Sequence, residues 1–159
     1  MATPLIIRWR RGHLLGQFWA YSGLFIAAFL AATILPAQSE AGLAALILAS
    51  PASVILLVAT ASLGNILGSV VNWYLGRGIN RFIGKQWFPA TADQLSRATS
   101  WYHRHGRWTL LFSWVPFIGD PLTVAAGIMR EPLLRFLLIV GLAKTGRYIV
   151  VALLALQWL

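Results

Sequence analysis

The chain has 159 residues, of which 58% are hydrophobic and only 11% are charged. Soluble domains carry about 25% charged residues, and a chain of this length cannot enclose so large an apolar fraction in one small core. The composition therefore excludes an ordinary soluble domain and predicts an integral membrane protein. The absence of cysteine excludes disulfides and thiolate metal sites.

The net charge of the chain is strongly positive, with a formal value of +9 from 13 Lys and Arg against 4 Asp and Glu. In a soluble protein such an excess would suggest nucleic-acid binding. Here most cations lie in two short polar stretches beside aromatic residues and apolar segments, a pattern typical of contact with anionic lipid headgroups. We expect membrane lipids as partners, with anionic headgroups or a lipid phosphate, and no nucleic acid.

The first half of the chain begins with a basic, tryptophan-containing head over residues 1–16. An apolar helix is predicted over 17–35; because it is longer than the roughly 7–15 apolar residues of a signal peptide, we expect it to be retained. A short apolar segment over 41–50 then precedes a long one over 52–76. At about 1.5 Å per residue the long segment reaches about 37 Å, enough for a hydrocarbon core of about 30 Å.

The second half begins with a polar middle over residues 77–106, in which Thr91 and Gln94 form the sequence pattern of a helical capping box. The helix that starts there is predicted to be amphipathic and interfacial. Residues 107–131 form two apolar limbs that are too short to cross, joined by "PFIGDP", and predict a re-entrant hairpin. A second span is predicted over 133–157. The apolar face of the amphipathic helix comprises Leu95, Ala98, Trp101 and Tyr102.

The two halves resemble each other. Pro36 is followed four residues later by Glu40, and Pro116 is followed four residues later by Asp120. Each half then continues apolar to another proline and a long span, although few identities support the match and chance is the alternative. A hairpin makes no net crossing and a span makes one, so a true repeat would be inverted. The predicted fold is an all-α integral membrane protein with two inverted repeats, each a re-entrant helical hairpin plus one spanning helix, separated by an interfacial amphipathic helix. The predicted segments are the head 1–16, first hairpin 17–50, span 52–76, amphipathic linker 77–106, second hairpin 107–131 and span 133–157.

Charged residues in apolar segments are the candidate functional residues, because each costs about 2.5–3.5 kcal/mol to insert. Lys144 and Arg147 are three residues apart and share a helix face. With two carboxylates at similar depth they would form either the substrate or proton site of a transporter or a structural ion-pair cluster, and both interpretations stay open. The four charged residues are Glu40, Asp120, Lys144 and Arg147, and the residues predicted at the hairpin tips are Pro36, Pro116, Gly119 and Pro121.

Other polar residues have simpler predicted roles. His103 and His105 supply two ligands, which do not complete a zinc site, so we expect no metal and no cofactor. Gly64 and Gly68 predict a close helix–helix contact. Helix–helix hydrogen bonds are expected from Ser62, Asn65, Ser69 and Asn72.

With these residues noted, the chain resembles the DedA family of VTT-domain membrane proteins, and most closely its short YqaA-like branch. The resemblance runs from about Phe25 to Val151 and is carried by "LPAQSE", "LGNILGSVVNWYLGR", "LLFSWVPFIGDPLTVAAG" and "GLAKTGRYIVVA". It implies two re-entrant hairpins that face each other across the cell inner (plasma) membrane in a multi-pass protein. It also implies lipid translocation, which in bacterial relatives concerns polyprenyl phosphates or phospholipids, often with proton dependence, and in eukaryotic relatives is scrambling.

Carried over by motif, the resemblance matches the acidic family positions with Glu40 and Asp120 and the basic one with Arg147, whereas Lys144 belongs with the short branch. The main family pattern also places arginines three residues before and after the second-hairpin proline. Those places hold Ser113 and Gly119 here, which leaves Lys144 and Arg147 to hold a lipid phosphate and puts polyprenyl phosphate in question.

The function that these observations predict is a lipid flippase or scramblase for phospholipid or polyprenyl phosphate, with proton coupling as an option. A proton- or cation-coupled small-solute transporter and a non-catalytic envelope scaffold are the alternatives. We do not expect an enzyme, because Phe117 replaces the first glycine of the GxGD motif of intramembrane aspartyl proteases, and no Ser/His pair lies in a span.

Overall fold

The computed structural model describes residues 3–32, 38–49, 53–78 and 90–158, with side chains described from residue 16 onward. Within these ranges every regular element is a helix, so the predicted all-helical class is confirmed. Pro36 lies outside the described residues. The elements are α1 (Thr3–Ala31), α2 (Gln38–Ala49), α3 (Val54–Arg77), α4 (Ala92–His105), a 3₁₀ helix (Gly106–Trp114), α5 (Gly119–Ile128) and α6 (Leu133–Leu156).

Helices α3 and α6 are the two membrane-span candidates that the sequence predicted. Each has 24 residues and is apolar enough to cross a membrane, and at about 1.5 Å per residue each is about 36 Å long. Both present large apolar side chains outward, as a helix in contact with lipid does. These exposed side chains include Leu56, Leu63, Leu67, Leu134, Leu138 and Leu142.

The two long helices run antiparallel. Near the end of α3, the Trp73 indole Nε1 donates a hydrogen bond of 3.1 Å to the carbonyl oxygen of Glu131, just before α6 begins. At the other end, Leu57 near the start of α3 packs in one cluster with Ala152 and Ala155 near the end of α6. The two helices therefore lie side by side along most of their length.

Glycines on α3 allow two other helices to approach its backbone. A Cβ at Gly64 would lie 2.5 Å from the Phe25 carbonyl oxygen of α1, and one at Gly68 would lie 2.6 Å from that of Phe29. No side chain fits in such a space, which confirms the predicted small-residue contact and places α1 parallel to α3. Farther along, Gly76 lies against α5 in the same way.

The polar residues of α3 divide into two groups. Asn72 Nδ2 donates to the Ala32 carbonyl oxygen at 2.7 Å, and Asn65 also reaches a neighbouring helix, as expected for both. For Ser69 the expectation was wrong: its hydroxyl donates to the Asn65 carbonyl oxygen one turn back, at 2.9 Å, within α3 itself. A serine hydroxyl on a helix finds that carbonyl more easily than a partner on another helix. Ser62 Oγ has no hydrogen-bond partner among the described residues.

The amphipathic helix α4 begins with the predicted capping box. The Thr91 hydroxyl accepts from the Gln94 amide, and the Gln94 side chain accepts from the Thr91 amide. On the apolar face, Leu95 and Tyr102 are buried, as is Ala98, whereas Trp101 is 48% exposed. The Trp101 ring projects past the buried residues of this face, beside the exposed Phe112.

Candidate functional site

The middle of each long helix carries a polar residue. Lys144 lies 11 residues after Leu133, and Asn65 lies 11 residues after Val54, so each is about 16 Å along a helix of about 36 Å. Since the helices are antiparallel, both positions fall near half depth.

The first ion pair of the site joins α5 to α6. Asp120 lies in the first turn of α5, where a carboxylate is favoured by the helix dipole. Its Oδ1 is 3.5 Å from the Lys144 Nζ, and the two side chains are only 20% and 6% exposed. Lys144 is therefore a nearly buried cation, and Asp120 is its anionic partner.

The second ion pair joins α2 to α6. The Arg147 guanidinium binds the Glu40 carboxylate, and both side chains are about a quarter exposed, at 22% and 25%. Another nitrogen of the same guanidinium donates to the Trp114 carbonyl oxygen at 2.6 Å, at the end of the 3₁₀ helix. Arg147 thus contacts both α2 and the 3₁₀ helix. The four charged residues singled out from the sequence therefore come together around one face of α6.

A tyrosine beside the ion pairs ties three helices together. The Tyr148 hydroxyl accepts from Asn65 Nδ2 at 3.0 Å and lies 2.8 Å from Ser39 Oγ. Because Asn65 donates to it, the tyrosine proton is free to be donated to the serine. Tyr148 and Ser39 are not among the residues that the sequence predicted. The signal that could have found them is their position, since each directly adjoins one member of the Glu40–Arg147 pair.

A small polar cavity of about 30 Å³ lies between these groups. A buried water needs roughly 10–15 Å³, so the cavity has room for about two waters and not for a phosphate headgroup. Ser113 Oγ lines the cavity and is buried without a hydrogen-bond partner among the described residues. The lining also includes Ser39, Glu40, Asn65, Pro116, Asp120, Lys144, Arg147 and Tyr148.

The turn between the 3₁₀ helix and α5 contributes Val115 and Pro116 to the cavity wall. Phe117 has a positive φ of 65°, which is unfavourable for a bulky side chain, and that side chain is exposed. At Gly119 an added Cβ would collide with the Ser113 carbonyl oxygen. Ser113 and Gly119 therefore touch each other, and the backbone contact excludes any side chain at position 119. Pro116 lies in the turn and Pro121 is buried in α5.

The described residues contain no group of three or more His, Cys, Asp or Glu side chains that could hold a metal ion. His103 and His105 are both exposed on α4. The polar groups of the site are two ion pairs and several hydroxyls.

Comparison with known proteins assigns the chain to a family. The VTT-domain model matches residues 35–156, which include every helix after α1 and all four charged residues of the site. The protein belongs to the VTT-domain (DedA) family. The resemblance drawn from the four sequence motifs is thereby confirmed.

The relatives share most of the chain. It is 40% identical over 139 residues to the inner membrane protein YqaA of Escherichia coli (strain K12), covering 84% of this chain and 89% of that protein. The same figures hold for YqaA of Shigella flexneri. An uncharacterized protein of Haemophilus influenzae is 31% identical over 153 residues, covering 90% of this chain and 94% of its own length. No solved structure gives a significant match. With two helices able to cross a bilayer, the chain is an inner-membrane protein.

Proposed function

We propose that this protein moves lipids between the leaflets of the membrane, as a flippase or scramblase for phospholipid or polyprenyl phosphate, with proton coupling as an option. The observation that carries the proposal is the pair of ion pairs at half depth on α6, beside a polar cavity. Charged groups at that depth are costly and typically mark a path for a polar substrate.

The contacts of the first hairpin support entry from one face. Leu24 of α1 and Ile47 of α2 pack in one cluster with Leu57 near the start of α3. The two limbs thus lie together at the end where α3 begins, while Ser39 at the other end of α2 reaches the middle of α6.

The contacts of the second hairpin support entry from the opposite face. Leu110 of the 3₁₀ helix packs with Trp73 near the end of α3, and Gly127 of α5 lies against Gly76 there. The other ends of these limbs reach Lys144 and Arg147. Two re-entrant hairpins in an inverted repeat that enter from opposite faces account for these contacts.

The ion pairs suggest how a headgroup passes. The cavity holds about two waters, so this conformation is closed to a headgroup. A lipid phosphate that enters from either leaflet competes with Glu40 and Asp120 for Arg147 and Lys144, and Ser113 Oγ can donate a further hydrogen bond. Separation of the ion pairs opens the path between the hairpin tips, and the lipid tails stay outside against the apolar faces of α3 and α6. The released carboxylates are then the groups that can accept protons.

Exchange of labelled lipid in liposomes that contain the purified protein tests this proposal. Quenchable headgroup-labelled phospholipid and a polyprenyl phosphate are measured separately at two pH values. Arg147→Ala is expected to slow exchange by about tenfold or more, since it removes a charge-assisted interaction of about 1.5–3 kcal/mol with the lipid phosphate. Asp120→Asn is expected to slow exchange because the side chain can no longer accept a proton when the ion pair separates. Matched controls come from the exposed Asp93–Arg97 ion pair of α4, whose side chains are 71% and 79% exposed; Asp93→Asn and Arg97→Ala should exchange lipid at the wild-type rate. Wild-type rates in both folded site variants would refute the assignment.

The size of the cavity favours a second candidate, a proton- or cation-coupled small-solute transporter. A space for about two waters suits an ion or small solute better than a headgroup. Proton or cation flux without lipid exchange in the same liposomes would select this candidate. If neither flux occurs, the four charges act as a structural lock in a scaffold.

A further inference from the structure

The 3₁₀ helix between α4 and the cavity is unusually long. It has nine residues, Gly106–Trp114, whereas 3₁₀ runs of more than three or four residues are uncommon because their hydrogen bonds are poorly aligned. Its carboxyl end continues the same pattern, since the Val115 amide donates to the Phe112 carbonyl oxygen, three residues back, at 3.0 Å. A 3₁₀ run of this kind indicates a hinge or a segment under strain.

The sequence of this segment does not require 3₁₀ winding. The residues between Gly106 and Pro116 are "RWTLLFSWV", with neither glycine nor proline among them, and leucine is a good α-helix former. The buried residues Thr109, Leu110 and Ser113 are spaced by three and four, which keeps them on one side of the segment in either winding. An α-helix would therefore bury the same side chains, so the cause of the 3₁₀ form lies at the ends of the segment.

Both ends of the segment are held in place. Gly106 follows α4 with φ 63° and ψ −152°, a backbone conformation that is essentially restricted to glycine. At the other end the Trp114 carbonyl oxygen accepts from Arg147 at 2.6 Å, and the Ser113 carbonyl oxygen lies against Gly119. Nine residues rise about 18 Å as a 3₁₀ helix and about 13.5 Å as an α-helix. The contacts with α6 and α5 therefore hold the segment in its longer form.

The turn after the segment is strained in this conformation. Phe117 has a φ of 65°, which is costly for a bulky side chain, and its ring is 71% exposed, so packing of the ring does not offset the cost. A segment released from Arg147 can lose that strain. A phosphate at Arg147 competes with the Trp114 carbonyl oxygen, which is in reach only in the longer form, and therefore favours the shorter form.

We propose that residues 106–114 are the moving part of the charged site, and that they rewind from 3₁₀ to α form when Arg147 releases the Trp114 carbonyl oxygen. Rewinding shortens the segment by about 4 Å, which draws Ser113 and Pro116 away from α6. Both residues line the polar cavity, so the cavity enlarges. The use of this opening for lipid passage rests on the proposed function, whereas the change of winding needs no substrate.

Spin-label distances in the full chain, placed in lipid nanodiscs, test the proposal. The sequence has no cysteine, so Arg107→Cys and Trp114→Cys, both at exposed positions, supply the only label sites. These positions lie roughly 14 Å apart along a 3₁₀ helix and about 120° apart around it, but about 10.5 Å apart on one face of an α-helix. We expect the long distance in the otherwise wild-type chain. Arg147→Ala should raise the population of the short distance about tenfold, the scale of one hydrogen bond to a charged group.

Milder variants test the same equilibrium if Arg147→Ala does not fold. Arg147→Lys keeps a cation for Glu40 but lacks the guanidinium that joins two acceptors, so it should also raise the short-distance population. In that background Phe117→Gly removes the cost of the positive φ from the longer form and should lower the short-distance population about fivefold. Phe117→Ala is the matched control, because it loses the same exposed ring without gaining that freedom, and it should leave the population unchanged.

Distances report the winding, and lipid exchange by the same variants reports its use. An unchanged long distance in both Arg147 variants would overturn the proposal, as would a broad distribution in place of the short distance, since the segment would then melt and not rewind. Slower lipid exchange for Phe117→Gly but not for Phe117→Ala would support opening for lipid. If the wild-type chain exchanges no lipid, the proposed function fails, and the distances still decide whether the segment rewinds.

Discussion

The two ion pairs on α6 lie three residues apart, yet they are built differently. Lys144 is nearly buried, with 6% of its side chain exposed, and its contact with Asp120 is long at 3.5 Å. Arg147 is 22% exposed, binds Glu40 and also donates to the Trp114 carbonyl oxygen. One cation is nearly buried and has a single charged partner, whereas the other is partly exposed and has two partners.

The difference follows from the chemistry of the two cations. An ammonium on a flexible stem acts as a point charge, whereas the planar guanidinium presents several donors in fixed directions and can join two elements at once. Lys144 therefore contacts only α5, through Asp120. Arg147 connects α2 and the 3₁₀ helix to α6, through Glu40 and the Trp114 carbonyl oxygen. The more buried pair, Lys144–Asp120, is expected to dominate stability. The more exposed pair, Arg147–Glu40, is expected to be the one that a substrate can open.

The largest expected effect comes from removing the anion of the more buried pair. Asp120→Asn leaves the buried Lys144 ammonium without a counter-charge, and breaking a buried pair in this way costs about 3–5 kcal/mol. We expect a loss of that size in the free energy of unfolding, measured by denaturant titration in mixed micelles. The structural reason is burial, so the loss should persist at high salt.

A double substitution separates the buried charge from other effects of Asp120. Asp120→Asn combined with Lys144→Met removes both charges and fills the lysine site with an apolar chain of similar length. Replacement of a whole buried ion pair by apolar groups is often close to neutral, so most of the lost stability should return. A double variant as unstable as Asp120→Asn alone would contradict this account of the pair.

The more exposed pair should contribute less to stability. Glu40→Gln removes the charged partner, but Arg147 keeps its hydrogen bond to the Trp114 carbonyl oxygen and stays partly exposed. We expect a loss of about 2 kcal/mol, the scale of a hydrogen bond to a charged group. Asp93→Asn is the matched control on the exposed pair of α4 and should cost about 0.5 kcal/mol. If Glu40→Gln is as destabilising as Asp120→Asn, then burial does not distinguish the two pairs.

Much of the fold could be predicted from the sequence, because long apolar segments have few structural alternatives. The apolar segments 52–76 and 133–157 are long enough to cross a membrane as helices. The pattern at Thr91 and Gln94 determines where α4 begins. The exposed fraction of Trp101 could not be predicted, because helical spacing gives the direction of a side chain but not how far a large ring extends beyond its neighbours.

The charged residues of the site could be found for a related reason: in an apolar segment every charge is conspicuous. Their pairing could not be predicted, because it depends on which helices cross and at what level. Close backbone contacts determine those crossings. Examples are the contact of Gly64 in α3 with α1 and the contact of Gly119 with the Ser113 carbonyl oxygen. Hydroxyl groups such as Tyr148 carry no comparable signal, since a tyrosine in a span is as compatible with simple packing as with a polar network.

The smallest expected effect concerns the tyrosine that stands beside both pairs. Tyr148→Phe removes the group that accepts from Asn65 and bonds Ser39, but both of those residues line the cavity, where water can replace the lost hydroxyl. We therefore expect a loss of only about 1 kcal/mol in the same unfolding titration. Lipid exchange should stay within about twofold of wild type, because no charge of the site has changed. A loss as large as that of Asp120→Asn would show that the hydroxyl network, and not the ion pairs, holds the neighbouring helices against α6. The contrast between the more buried and the more exposed ion pair would then have no energetic consequence.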